Sequence, residues 1–288
     1  MKVWWTAIRP ATLTLSLTPV ITGIALALSE GAGLRGAIAL ETLIAALCIQ
    51  IGVNLYNDAT DCAADRCHRL GPLRVTAAGL ASASDVRRAA NLALIMAFLF
   101  GLHLTFVGGW PILLIGFASL VASWAYSGGQ HPLSHTPLGE FFVWLFFGVM
   151  AVSGSHWLQA GTATLSALLA GAALGLPAAA VLLINNLRDS ESDQRAGRRT
   201  LALQLGNTGS RRLYALLMLL PFALLLGLPS YTWFAFLMLP INLRILTQLR
   251  TAGGSDLNGI LIATARSQFV FGLLIVAGCL TWNNTGHA

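Results

Sequence analysis

Long apolar runs separated by short polar breaks dominate this chain. Runs able to cross about 30 Å of hydrocarbon lie near residues 11–29, 36–57, 89–108, 111–127, 138–158, 163–187, 212–228, 231–248 and 261–281. The breaks carry turn chemistry: Gly31-Ala32-Gly33, Gly108-Gly109-Trp110-Pro111, Gly128-Gly129, Pro229-Ser230 and Gly253-Gly254. The pattern predicts an all-α polytopic membrane protein, a bundle of about nine transmembrane helices around a central cavity, with residues 1–288 as one domain. The first run, Leu13 to Leu28, is expected to be a permanent helix. The stretch before it, with Lys2, Trp4-Trp5 and Arg9-Pro10, is too polar for a signal peptide.

Composition agrees. Hydrophobic residues make up 56% of the chain and charged residues 10%, against about a quarter charged in soluble domains. The net charge of +6 invites a nucleic-acid reading, but the basic residues are scattered over loops between apolar runs, so no nucleic acid is expected. Placing the N-terminus in the cytoplasm makes 1–10, 58–88, 128–137, 188–211 and 249–260 the cytoplasmic segments. Of 17 Lys and Arg residues only Arg35 then falls on the far side, as the positive-inside rule requires. The expected location is the inner (cytoplasmic) membrane, multi-pass, with cytoplasmic active-site loops. Cys48 and Cys279 lie in apolar runs and read as core. Cys62, Cys67 and His68 lack a zinc spacing.

Against this background, acidic residues are rare and clustered. Six of 11 lie in two short stretches, Asn54 to Asp65 and Asn185 to Asp193. Four spans separate them, so both sit at helix ends on one membrane face and can share a cavity. Asn54, Asp58, Asp61 and Asp65 are spaced i, i+4, i+7, i+11, a narrow stripe on a helix, and Asn185, Asp189 and Asp193 follow at i, i+4, i+8. Clustered carboxylates call for a cation, and carboxylate and amide oxygens suit Mg2+ shared with substrate phosphates. Arg74 and Arg188 beside the clusters offer donors for a diphosphate. This chemistry fits ionisation of an allylic prenyl diphosphate, with the apolar bundle sheltering cation and lipid tail from water. An ion-coupled transporter would place its acids near the midplane. A CDP-alcohol phosphotransferase would carry Asp-Gly where Asp61-Cys62 stands.

The two clusters also match a known pair of signatures. Asn57-Asp58-x-x-Asp61-x-x-x-Asp65 and Asp189-x-x-x-Asp193 resemble the NDxxDxxxD and DxxxD motifs of the UbiA superfamily of intramembrane aromatic prenyltransferases. Within it, Arg9-Pro10-Ala-Thr12-Leu13, Gly71-Pro-Leu-Arg74, the stretch from Tyr126 to Glu140, Asn185-Asn186-Leu-Arg188-Asp189 and Ala196 to Ala202 resemble the branch that prenylates 1,4-dihydroxy-2-naphthoate. A shorter loop between Asp61 and Gly71, and the His-containing stretch 130–137, depart from that branch. The resemblance implies catalytic roles for Asp58, Asp61 and Asp189, and a Mg2+ set of Asp58, Asp61, Asp65, Asp189 and Asp193. It implies substrate binding by Asn54, Asn57, Arg74, Asn185, Asn186, Arg188 and Arg198, with Tyr126 and Glu140 near the aromatic acceptor. Arg9 would meet an acceptor carboxylate or merely mark the inner face. The implied partners are a polyprenyl diphosphate, an aromatic acceptor and the lipid bilayer, with no protein partner. The implied reaction is decarboxylating prenylation to demethylmenaquinol, with 4-hydroxybenzoate as the alternative acceptor.

Overall fold

The computed structural model describes residues 2–60, 71, 74–128 and 132–284. Among them are helices and turns but no strand. In chain order the helices are α1 (Lys2–Ile8), α2 (Pro10–Ser29), α3 (Gly36–Thr60), α4 (Ala83–Gly108), α5 (Trp110–Ser127), α6 (Gly139–Ala160), α7 (Leu165–Arg188), the short α8 (Ser190–Arg195), α9 (Leu201–Leu225), α10 (Leu239–Leu249) and α11 (Leu257–Asn284). A 3-10 segment, Ser230–Met238, leads into α10. Eight stretches are long and apolar enough to cross a membrane; the chain is an all-α, multi-pass membrane protein.

The ninth expected span, 212–228, falls in α9, which does not pass the same test. Its first half carries Gln204, Asn207, Arg211 and Arg212. The helix starts at Leu201, not near 212, because Thr200 enters it in an extended conformation and Gly206, at φ 65, lets it kink and continue. The kink needs a residue that tolerates positive φ, which glycine does. Two short helices, α1 and α8, add to the expected set.

Burial defines the architecture. The spanning window of α7 is 78% buried, whereas those of α4 and α5 are 17%, so α7 is the axis and α4 and α5 form an outer wall. Its small residues permit this. Where α6 crosses α7, a Cβ on Gly148 would lie 2.4 Å from the Gly171 carbonyl oxygen and 2.5 Å from the Gly175 Cα, so the backbones meet as in small-residue membrane crossings. One side of α7 packs Leu174 against Phe222, Phe271 and Ile275. Nearer the acid clusters, Leu183 and Ile184 pack with Tyr214, Met218, Leu257 and Ile260. At the far end, a polar knot joins the end of α2 to α6 and the segment before α10. Glu30 Oε2 lies 2.9 Å from His156 Nε2, and Ser29 Oγ lies 3.1 Å from the Tyr231 hydroxyl.

Candidate active site

A cavity of about 670 Å³ opens among α2 to α7. Its depth is apolar, walled by residues such as Leu15, Val20, Leu104, Ile112 and Leu158. Its mouth is polar and gathers Arg9, Asn54, Asn57, Arg74, Tyr126, Asn185, Asn186, Arg188, Asp189, Asp193 and Arg198. Asn57 and Asp189, 132 positions apart, thus share one wall, as the even number of spans between them predicts. A π turn over Leu145–Met150, a feature frequent at functional sites, re-aims α6 so that Phe142, Phe146, Phe147 and Met150 all face the cavity. The Phe142 and Phe146 rings stack with centroids 6.1 Å apart.

The second cluster is built on the end of α7. Asp189 ends α7 and precedes α8, whose restart keeps Asp193 one turn on and on the same wall. The buried Arg188 guanidinium holds the Asp189 carboxylate with two bonds, Nε to Oδ1 at 2.8 Å and Nη2 to Oδ2 at 2.6 Å. Nη2 also donates to Asn185 Oδ1 at 2.9 Å, and Nη1 to Asn258 Oδ1 at 2.8 Å. Arg198 Nη1 donates to Asp193 Oδ1 at 3.0 Å, while the Arg198 backbone N–H donates to the Asp193 carbonyl at 2.9 Å. Arg198 is therefore folded back onto the acid it follows.

The first cluster divides. Asn57 lies on the cavity wall, with its Oδ1 accepting from Ser127 Oγ at 2.5 Å and its carbonyl accepting from Arg74 Nη1. Asp58 does not line the cavity. It is 1% exposed, and its carboxylate accepts from the Val75 N–H at 3.1 Å, the Thr76 N–H at 3.0 Å and the Thr76 hydroxyl at 2.6 Å. Both oxygens accept bonds from the turn that carries Arg74. Asp61 and Asp65 lie outside the described residues, as do Cys62, Cys67 and His68. Among the described residues, no three acidic, His or Cys side chains form a metal-binding group.

Two other expectations are refined. Asn54 lines the mouth but spends its amide on the α1–α2 junction, with Nδ2 donating to the Ile8 carbonyl at 2.8 Å and to Thr12 Oγ1 at 3.0 Å. Between those helices Arg9 takes the left-handed conformation, φ 53, alone among non-glycine residues described. Glu140 is buried behind Asn186, off the cavity wall, and accepts from Asn186 Nδ2 at 2.9 Å. It orients the amide that does reach the cavity. Asn258 stands behind the cluster, off the cavity wall, in contact with Arg188. Lying in the first turn of α11, away from either motif, it gave no signal in the sequence beyond a polar residue at a helix start.

The mouth offers hard-oxygen donors, Asp189, Asp193, Asn57 and Asn185, a donor set that fits Mg2+, with cationic donors beside them and an apolar pocket beneath. That arrangement can bind a molecule that is anionic at one end and long and apolar at the other. The profile of the UbiA prenyltransferase family matches residues 16–261. The 1,4-dihydroxy-2-naphthoate octaprenyltransferase of Escherichia coli K12 is 37% identical over 229 residues, covering 76% of this chain and 73% of that protein. The enzyme of the same name from Mycobacterium tuberculosis is 33% identical over 288 residues, covering 97% of each. A UbiA homologue from Archaeoglobus fulgidus, solved with GPP and Mg2+, superposes with a TM-score of 0.63 over 95% of this chain and 99% of its own, at 14% identity, and so shares the fold. With a family profile over residues 16–261 and relatives 33–37% identical over most of its length, the chain belongs to the UbiA prenyltransferase family.

Proposed function

We propose that the protein transfers a polyprenyl group from an allylic diphosphate to 1,4-dihydroxy-2-naphthoate, with loss of the acceptor's carboxylate, giving demethylmenaquinol. The observation that carries this reading is the polar mouth over an apolar cavity, in a chain whose relatives bear that enzyme's name. The reaction would take place at the cytoplasmic face of the inner membrane, within one domain of residues 1–288.

Mg2+ would be held by Asp189 and Asp193, with Asn57 and Asn185 and, from the sequence motif, Asp61 and Asp65. When bound, it supplies charge neutralisation for the diphosphate leaving group. The protein's own residues do the rest. Arg74 and Arg198 present guanidinium donors to outer phosphate oxygens. Asp58 fixes the turn that carries Arg74. The stacked faces of Phe142 and Phe146 line the wall where an allylic cation would form, and aromatic faces stabilise cations. The apolar depth holds the isoprene tail and excludes water, which would otherwise capture that cation. Tyr126 and Asn186, the latter oriented by Glu140, border the acceptor.

The two candidate acceptors differ in what leaves the ring. When the ring carbon bearing the carboxylate attacks C1 of the prenyl group, the C–CO2 bond breaks and its electron pair restores aromaticity, so no base is needed to remove a ring proton. Prenylation of 4-hydroxybenzoate ortho to its hydroxyl would instead release a ring proton and keep the carboxylate, so the fate of the carboxyl carbon tells the two acceptors apart. The test combines purified protein, Mg2+, farnesyl diphosphate and carboxyl-labelled acceptors. Label should leave as CO2 from the naphthoate as prenylated naphthoquinol forms, and EDTA should stop turnover. Prenylation of 4-hydroxybenzoate with its carboxyl retained, and none of the naphthoate, would overturn the acceptor assignment.

A further inference from the structure

We infer that Asn258, on the first turn of α11, is a positioning residue that sets metal affinity at Asp189 by anchoring Arg188. The inference rests on the reading of Asp189 as a metal ligand. A guanidinium has five N–H donors in a rigid plane. In Arg188 four are committed, two to Asp189, one to Asn185 and one to Asn258. The side chain is only 1% exposed. At most one donor remains for a phosphate oxygen, so Arg188 acts mainly through the carboxylate and amide it holds.

Three of the four contacts lie within the last turn of α7 and would move with it. The fourth, to Asn258, comes from a different helix and fixes the plane of the guanidinium against the body of the bundle. Rotation of that plane would carry the Asp189 carboxylate and the Asn185 amide together, because both are bonded to Nη2. Asn258 blocks the rotation. The bidentate pair uses one lone pair on each Asp189 oxygen and leaves the others, so cation and guanidinium can share the carboxylate. Partners that orient metal ligands in this way typically control about 10–100-fold in metal affinity.

Asn258 is the informative position to change, because its loss leaves the charge of Arg188 and every ligand in place. The experiment titrates Mn2+ into the detergent-purified full chain, followed by electron paramagnetic resonance, for wild type, Asn258→Ala and Asn258→Asp. Asn258→Ala should weaken Mn2+ binding about tenfold and raise the Mg2+ concentration for half-maximal turnover by the same factor. Turnover and KM for farnesyl diphosphate at saturating metal should hold. Asn258→Asp keeps an oxygen acceptor for Nη1 and should restore the affinity, an outcome that general loosening of α11 would not produce. Wild-type or tighter Mn2+ binding by Asn258→Ala, or weakened binding that Asn258→Asp does not restore, overturns the inference. A wild type that transfers prenyl groups without binding Mn2+ overturns it alone, whereas one that does neither overturns the proposed function as well.

Discussion

At the residue scale, the described aspartates of the two acid clusters are of two kinds. Asp189 and Asp193 face the cavity, while Asp58 faces the backbone of residues 75–76. The sequence stripe placed Asn54 and Asp58 together because i and i+4 are 40° apart on a helix. The cavity faces Gln50, Val53, Asn54 and Asn57, and Asp58 lies just past the Asn54 edge of that face, about 40° on. Spacing alone located the stripe but not which edge of it meets the cavity, which depends on how the 74–78 turn packs. The difference is measurable. Asp58→Asn replaces an acceptor facing the Val75 or Thr76 N–H with a donor, leaving a buried group unsatisfied at about 1–3 kcal/mol. Its thermal midpoint should fall, and the folded fraction should keep turnover within about 10–100-fold of wild type, as for residues that act through others. Asp189→Asn removes a charge from the mouth itself and should cut turnover far below that range at any metal concentration. Folded Asp58→Asn as inactive as Asp189→Asn would make Asp58 a metal ligand, as the sequence motif implies.

At the element scale, the apolar runs located every long helix, since in lipid each backbone group must be satisfied within its own segment. What they missed was helix too short or too polar to register as a span: α1 and α8, of seven and six residues, and the first half of α9. The α1–α2 junction shows why such pieces matter. Arg9 sits in a left-handed conformation between Ile8 and Pro10, and the bond from Thr12 Oγ1 to its carbonyl at 2.9 Å and Asn54's hold on Ile8 keep it there. For a side-chain-bearing residue this costs about 1–2 kcal/mol, and strain of this kind collects at functional sites. Arg9 also lines the cavity mouth, which favours contact with an acceptor carboxylate over a purely topological role. Arg9→Gly relieves the strain while loosening the unfolded chain by about 0.5–1 kcal/mol, so stability should change little. KM for the naphthoate should rise while KM for the prenyl diphosphate holds. A large loss of stability with unchanged acceptor KM would make the hinge structural only.

At the scale of the whole molecule, charge distribution and site placement make one argument. The basic residues beside the cavity mouth lie in the segments assigned to the cytoplasm, and the acid clusters lie with them, so orientation decides which compartment would supply the charged ends of the proposed substrates. The exception, Arg35, follows the end of α2 at the opposite end of the bundle. Its Nη1 donates to the Leu158 carbonyl at 3.1 Å and its backbone N–H to Gln159 Oε1 at 2.8 Å. It thus caps the C-terminal turn of α6, where a cation is favoured by the helix dipole. A basic residue used in this way does not argue for a cytoplasmic loop, so the asymmetry of the other sixteen stands. Alkaline phosphatase inserted at residues 162–164, between α6 and α7, should be active, and the same insertion at 196–199, between α8 and α9, should not; a fluorescent protein should give the opposite pattern. Activity at 196–199 would place the acid clusters outside the cytoplasm and require their diphosphate substrate to be delivered there.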